Sequence, residues 1–81
     1  MSPQLTLYGR GYCHLCDDMR AALDPIAAEF GAEVVYVDVD SDAELEARLG
    51  ELVPVLMAGG TELCHYFLDE AAVRAHLRGI G

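Results

Sequence analysis

An α/β domain built on a mixed four-stranded sheet, in the order β-α-β-α-β-β-α, is the fold this sequence predicts. Three observations predict it. The hydrophobic period changes from strand-like to helical and back along the chain. A long helical segment separates the first two strand segments, and such a crossover makes them parallel. Gly59-Gly60 joins the last two strand segments, and a two-residue glycine turn makes those antiparallel. With 81 residues the chain has room for one domain, residues 1–81, and shows no repeat or linker.

The elements follow in order. Leu5, Thr6, Leu7 and Tyr8 read as a strand closed by Gly9 and Gly11. Cys16, Met19, Leu23, Ile26 and Phe30 then recur at spacings of three and four, which is one helical face ended by Gly31. Pro25 interrupts that pattern, and predicts a kink or a second segment capped by Asp24. Residues 33–39 are rich in β-branched side chains and read as the second strand. Ser41 and Glu44 have the spacing of a capping box, which opens a short helix carrying Leu45 and Leu49 and ended by Gly50. Residues 53–58 form an apolar strand with Pro54 near its start, and residues 61–67 form the returning strand. Residues 69–78 are the last helix, with Val73, Leu77 and Ile80 on one side. Its acids come first and Arg74 and Arg78 last, as the helix dipole favours.

Composition restricts the function. Fourteen acidic residues stand against five basic ones, all arginine, for a formal charge of -9. Nucleic acid and anionic lipid need a basic footprint, so neither is an expected partner. No apolar run approaches the ~20 residues that span a bilayer. Residues 1–7 lack the basic and apolar regions of a secretion signal, so the expected location is the cytoplasm.

Three cysteines in so short a chain are an odd number and make no disulfide framework. Two of them form Cys13-His14-Leu15-Cys16, after a strand and at the start of a helix. A helix N-terminus favours a thiolate, the nucleophile of disulfide exchange. Cys13 sits at the open end, whereas Cys16 shares a face with Met19 and Leu23 and is expected to be more buried. That asymmetry lets one sulfur attack and the other resolve the mixed disulfide. His14, when protonated, favours the Cys13 thiolate, while Asp17 and Asp18 oppose it. The same spacing also serves as half of a zinc site. The last strand runs back towards Cys13, so Cys64 and His65 are candidates to complete a Cys3His set. As a lone cysteine on an apolar strand, Cys64 reads more simply as a small buried hydrophobe. No metal is assigned on this pattern.

Residues 8–16, Tyr-Gly-Arg-Gly-Tyr-Cys-His-Leu-Cys, resemble the active-site strand and loop of glutaredoxins. They are most similar to small bacterial glutaredoxin-like proteins with a Cys-His-Leu-Cys centre followed by acids. Leu52-Val53-Pro54 resembles the family's Thr-Val-Pro segment, and the element order agrees over essentially the whole chain. The resemblance implies a thioredoxin-like fold, a four-stranded mixed sheet with helices on both faces. It implies that Cys13 is the nucleophile and Cys16 the resolving cysteine of a redox-active disulfide. It implies that Pro54 follows a cis bond and faces that disulfide. Val53 would then offer its backbone to an extended thiol substrate, Tyr12 would line the substrate surface, and Arg10 would lie near a glutathione carboxylate. Three departures bear on glutathione as the reductant, the first being Leu52 in place of the threonine before Val53. Counting from Pro54, Cys64-His65 stand where the family has Gly-Gly, and Asp69 comes later than the family's acidic residue.

The function read from the sequence is therefore thiol–disulfide exchange by Cys13 and Cys16, in a monomer with no bound cofactor. Its expected partners are protein or low-molecular-weight thiols and disulfides. A metal or iron–sulfur carrier using the same cysteines, and a non-catalytic interaction module of this fold, are the alternatives.

Overall fold

The computed structural model describes residues 3–80, Ile80 by its backbone alone. The packing expected of the Ile80 side chain and the first two residues of the N-terminal reading fall outside that range. The strands are β1 (Gln4–Gly9), β2 (Glu33–Asp38), β3 (Val55–Ala58) and β4 (Thr61–His65); the helices are α1 (His14–Phe30), α2 (Ala43–Leu49) and α3 (Glu70–Ile80). The sheet order is β2-β1-β3-β4. β1 pairs parallel with β2, and β3 pairs antiparallel with both β1 and β4. This is the predicted α/β order and the thioredoxin-like arrangement.

Side-chain alternation along β1 decides which helix packs where. Leu5 and Leu7 point to one face, where they meet Met19, Leu23 and Ile26 of α1, Val73 and Leu77 of α3, and Leu56 of β3. Tyr8 points to the other face, where it packs on Val39 and Val53 with Leu45 and Leu49 of α2. α2 has only seven residues and its apolar side chains are half-buried. It serves mainly to close the end of the sheet where the cysteines lie.

Four local expectations are corrected. α1 runs unbroken through Pro25. The proline is on the exposed side of the helix, where water can satisfy the carbonyl it leaves unpaired. Asp24 caps nothing and instead accepts a hydrogen bond from the Tyr36 hydroxyl. The cap of α2 is Asp42, whose Oδ1 accepts from the amides of Glu44 and Leu45, at 2.8 and 3.3 Å. Ser41 belongs to a single 3₁₀ turn (Val39–Ser41), and its hydroxyl donates to the Asp38 carbonyl. β4 stops at His65, because Tyr66 turns into the left-handed region at φ 63°. Asp69 lies just outside α3 and caps it, accepting from the Ala72 amide at 3.0 Å.

Among the described residues no helix is long and apolar enough to cross a membrane.

Candidate active site

The Cys-x-x-Cys segment begins where β1 ends. Cys13 is the N-cap of α1, with extended backbone at φ -107° and ψ 103°. The Cys16 amide donates to Cys13 Sγ at 3.1 Å, and the Asp17 amide donates to the Cys13 carbonyl at 3.2 Å. Cys13 and Cys16 form a disulfide with Cα atoms 5.2 Å apart. Their exposures differ in the expected sense: Cys16 is 8% exposed and belongs to the Val39–Val53 cluster, whereas Cys13 lies only partly buried at its edge. The Cys16 amide that now points at Cys13 Sγ would favour a thiolate there after reduction.

Three segments converge on this pair. The Val53–Pro54 peptide bond is cis, as the resemblance implies, and both residues are buried. The Pro54 carbonyl accepts from the Tyr66 amide at 2.9 Å, which brings the turn after β4 beside the proline. Tyr66 and Phe67 are exposed on that turn, Phe67 by 70%. Tyr12, immediately before Cys13, is wholly exposed and holds a left-handed backbone at φ 62°. A bulky residue in that region costs on the order of 1 kcal/mol or more. The chain thus holds an aromatic ring in water next to Cys13.

Arg10 adopts an arrangement that its own neighbourhood in the sequence does not announce. Its Nη2 lies 3.1 Å from Asp40 Oδ1 and 3.5 Å from Glu46 Oε1. Nε and Nη2 are shielded from solvent yet make no aligned hydrogen bond. Distance and alignment disagree here. We read the contacts as charge pairing, because Coulomb attraction needs proximity and not a linear N–H. Arg10 is therefore already held by two carboxylates.

Two glycines make this geometry possible. A Cβ on Gly9 would lie 3.2 Å from Cys16 Sγ and 3.3 Å from its Cβ, so the bare backbone of β1 lets Cys16 pack against it. A Cβ on Gly50 would lie 2.8 Å from Arg10 Nη2 and 2.5 Å from the Glu46 carbonyl. From the sequence these glycines read only as a strand end and a helix end.

A cavity of about 260 Å³ opens beside Cys16, lined among others by Gly9, Arg10, Asp17, Arg20, Tyr36 and Asp38. It lies at the carboxyl ends of β1 and β2, from which the chain departs to opposite faces of the sheet. Open α/β sheets form crevices at such points. Arg20 lies over the Tyr36 ring, 4.0 Å from its centroid.

The structure does not bring Cys64 and His65 to Cys13 and Cys16. Cys64 pairs across from Leu56 and packs on the α1–α3 face, away from the cluster that holds Cys16. His65 Nδ1 lies 2.9 Å from Glu62 Oε2, and its ring meets Tyr66 edge to face. The Cys3His set is not assembled, and among the described residues no group of three or more His, Cys, Asp or Glu could hold a metal ion. Burial pushes the Cys64 thiol up from its ordinary value, with Asp69 and Glu62 adding to the shift and the Asp69 amide opposing it. In the oxidised protein Cys64 is the one free thiol. Iodoacetamide is expected to label it several-fold more slowly at pH 8 than it labels an unstructured cysteine peptide. The rate should climb as pH rises past the peptide's own midpoint. Labelling at the peptide's rate would show that Cys64 is neither buried nor shifted.

A thioredoxin-like fold with a Cys-x-x-Cys disulfide at the start of its first helix defines the class. Residues 4–78 match the glutaredoxin-like domain family (DUF836), and the chain belongs to it. The solution NMR structure of Ne2328 from Nitrosomonas europaea superposes with a TM-score of 0.83 at 36% identity, over 94% of this chain and 92% of that one. The protein Rv0508 of Mycobacterium tuberculosis is 30% identical over 80 residues, 93% of this chain and 82% of its own length. Fasciola hepatica thioredoxin shares the fold at 19% identity and a TM-score of 0.62, over 96% of this chain and 80% of that one.

Proposed function

We propose that this protein is a small thiol–disulfide oxidoreductase that cycles between a Cys13–Cys16 disulfide and a dithiol. The observation that supports it most is the asymmetric disulfide at the N-cap of α1: an outer sulfur facing an amide, an inner sulfur sealed against Gly9. In the reduced protein the Cys13 thiolate attacks a substrate disulfide and releases one substrate thiol. Cys16 then loses its proton and attacks Cys13 Sγ. The second substrate thiolate leaves and takes up a proton, and the protein disulfide is restored. Two cellular thiols in a reducing compartment such as the cytoplasm return the two electrons and leave as a disulfide. Substrate lies along Val53 and Pro54, with Tyr12 beside the attacking sulfur, so a short extended segment adds to the backbone there.

Glutathione fits this surface poorly. Arg10, the group that would meet one of its carboxylates, is paired with Asp40 and Glu46. Cys64 and His65 lie within β4, and Tyr66 holds the left-handed turn that follows them. An exposed charge contact is worth ~1 kcal/mol or less, too little to offset the ordering of a flexible tripeptide.

Serine in place of Cys16 tests the reading. The variant Cys16→Ser should accumulate a mixed disulfide at Cys13 when mixed with a protein disulfide, because the resolving attack is gone. Intact-mass spectrometry without reductant would show the adduct in most of the protein. Wild type should show it only in traces. No adduct in the variant would refute exchange chemistry.

A further inference from the structure

Around the disulfide the carboxylates Asp17, Asp18, Asp38, Asp40 and Glu46 outnumber the two guanidinium groups of Arg10 and Arg20. Asp17 and Asp18 follow Cys16 directly, and both are exposed. Asp17 and Asp38 share the cavity beside Cys16. Arg10 stands at the same cavity, but its charge is opposed by both Asp40 and Glu46 and leaves an excess of negative charge. The other cation there, Arg20, lies over Tyr36, whose hydroxyl donates to Asp24. His14 reaches Asp18 at 3.4 Å and adds positive charge only when protonated. The whole chain carries -9 and reinforces this local field. Carboxylates beside a thiol oppose its ionisation, so they cost reactivity unless they act on something else. The exposed faces of Tyr12 and Phe67 add two aromatic surfaces of the kind that attract cations.

Resting on the exchange reading above, we infer that the substrates are protein disulfides flanked by lysine or arginine, selected by the carboxylates Asp17, Asp18, Asp38, Asp40 and Glu46. One electron pair passes from the Cys13–Cys16 dithiol to the substrate disulfide. Two substrate thiols and one protein disulfide result. The carboxylates attract the basic flanks before the bond is exchanged. A charge ~10 Å away in water changes the encounter about twofold. Several together therefore give about tenfold between cationic and anionic substrates at low ionic strength, most of it lost at high salt.

The experiment uses reduced, reductant-free protein and three short peptides that differ only in flanking the cysteine with Lys, Ser or Glu, each supplied as its homodisulfide. Oxidation of the protein is followed by mass, at low and high ionic strength. Every rate is divided by that of dithiothreitol with the same peptide, which removes differences in leaving-thiol acidity. We expect Lys over Ser over Glu, with the spread collapsing in salt. The paired variant Asp17→Asn with Asp18→Asn should lower the Lys-to-Glu ratio about twofold to fourfold, whatever it does to the acidity of Cys13. Equal normalised rates, or Glu fastest, would overturn the inference and leave exchange chemistry standing. A ratio unmoved by both salt and the paired variant would overturn it too. If none of the peptides oxidises the protein, the exchange reading itself fails.

Discussion

Replacing Cys13 by serine is expected to reduce disulfide exchange to the background rate of buffer, a loss of a thousandfold or more. The magnitude follows from chemistry alone. A hydroxyl at the N-cap of α1 still accepts the Cys16 amide, so the helix start is kept. A serine hydroxyl does not ionise near neutral pH and cannot attack sulfur, whereas a thiol has a pKa of ~8.5 and is readily lowered. Cys16 does not take over, because it is 8% exposed and packed against the Gly9 backbone. The measurement is the rate of oxidation of the reduced variant by a peptide disulfide, with circular dichroism to confirm the fold. Retention of more than a few per cent of the wild-type rate would mean that Cys16 or Cys64 is the attacking thiol.

The second large effect concerns the core. Leu56 is fully buried in the middle of the sheet, between Leu7 of β1 and Cys64 of β4, facing α1 and α3. Leu56→Ala removes side-chain contacts on every side and leaves a cavity that rigid strands cannot close, a loss of about 2–5 kcal/mol. A domain of this size has in all ~4–12 kcal/mol. The variant is therefore expected to lose from about a sixth of its stability to nearly all of it, seen as a lower urea midpoint at unchanged slope. Val35→Ala on the exposed part of β2 is the control, with a shift of at most ~0.5 kcal/mol. Equal shifts for the two would contradict the assignment of the α1–α3 face as the main core.

What the sequence made legible is what short-range pattern encodes. The three-and-four spacing from Cys16 to Phe30 identified α1 and its buried face, and Gly59-Gly60 identified the hairpin, because both signals lie within one element. The sequence pattern places the start of α2 one residue early, since Ser41 and Asp42 are both competent caps. The burial of Val39, a tertiary fact, draws Ser41 into the preceding turn and leaves Asp42 to cap. Pro25 predicts a kink or a second segment because local propensity counts its missing donor and not the packing of Met19, Leu23 and Ile26 on both sides of it. The spacing marks Cys13 and Cys16 as a pair and leaves a metal clip open; the disulfide is what the resemblance implies, and the structure forms it. The partners of Arg10 were not legible, because Asp40 and Glu46 come from beyond β2, about 30 residues on, and no local pattern links them to it. The same holds for Cys64 and His65. Strand direction brought them towards the cysteine end, but pairing of Leu56 with Cys64 fixed that side chain to the far face.

The sheet order leaves β2 and β4 as its two margins, and an open margin is a template on which further strands can add, ending in fibrils. β2 begins with Glu33 and ends with Asp38. Two copies meeting along it, in either direction, set carboxylate against carboxylate. Tyr36, in the middle, is covered by the guanidinium of Arg20. On the other margin, β4 carries Glu62, and its pairing with β3 is broken by an irregularity at Leu56 and Met57 that disturbs the flat edge. Carboxylates thus line the sides of the sheet as well as the end that holds the disulfide, and like charge on a margin opposes the addition of a second copy there.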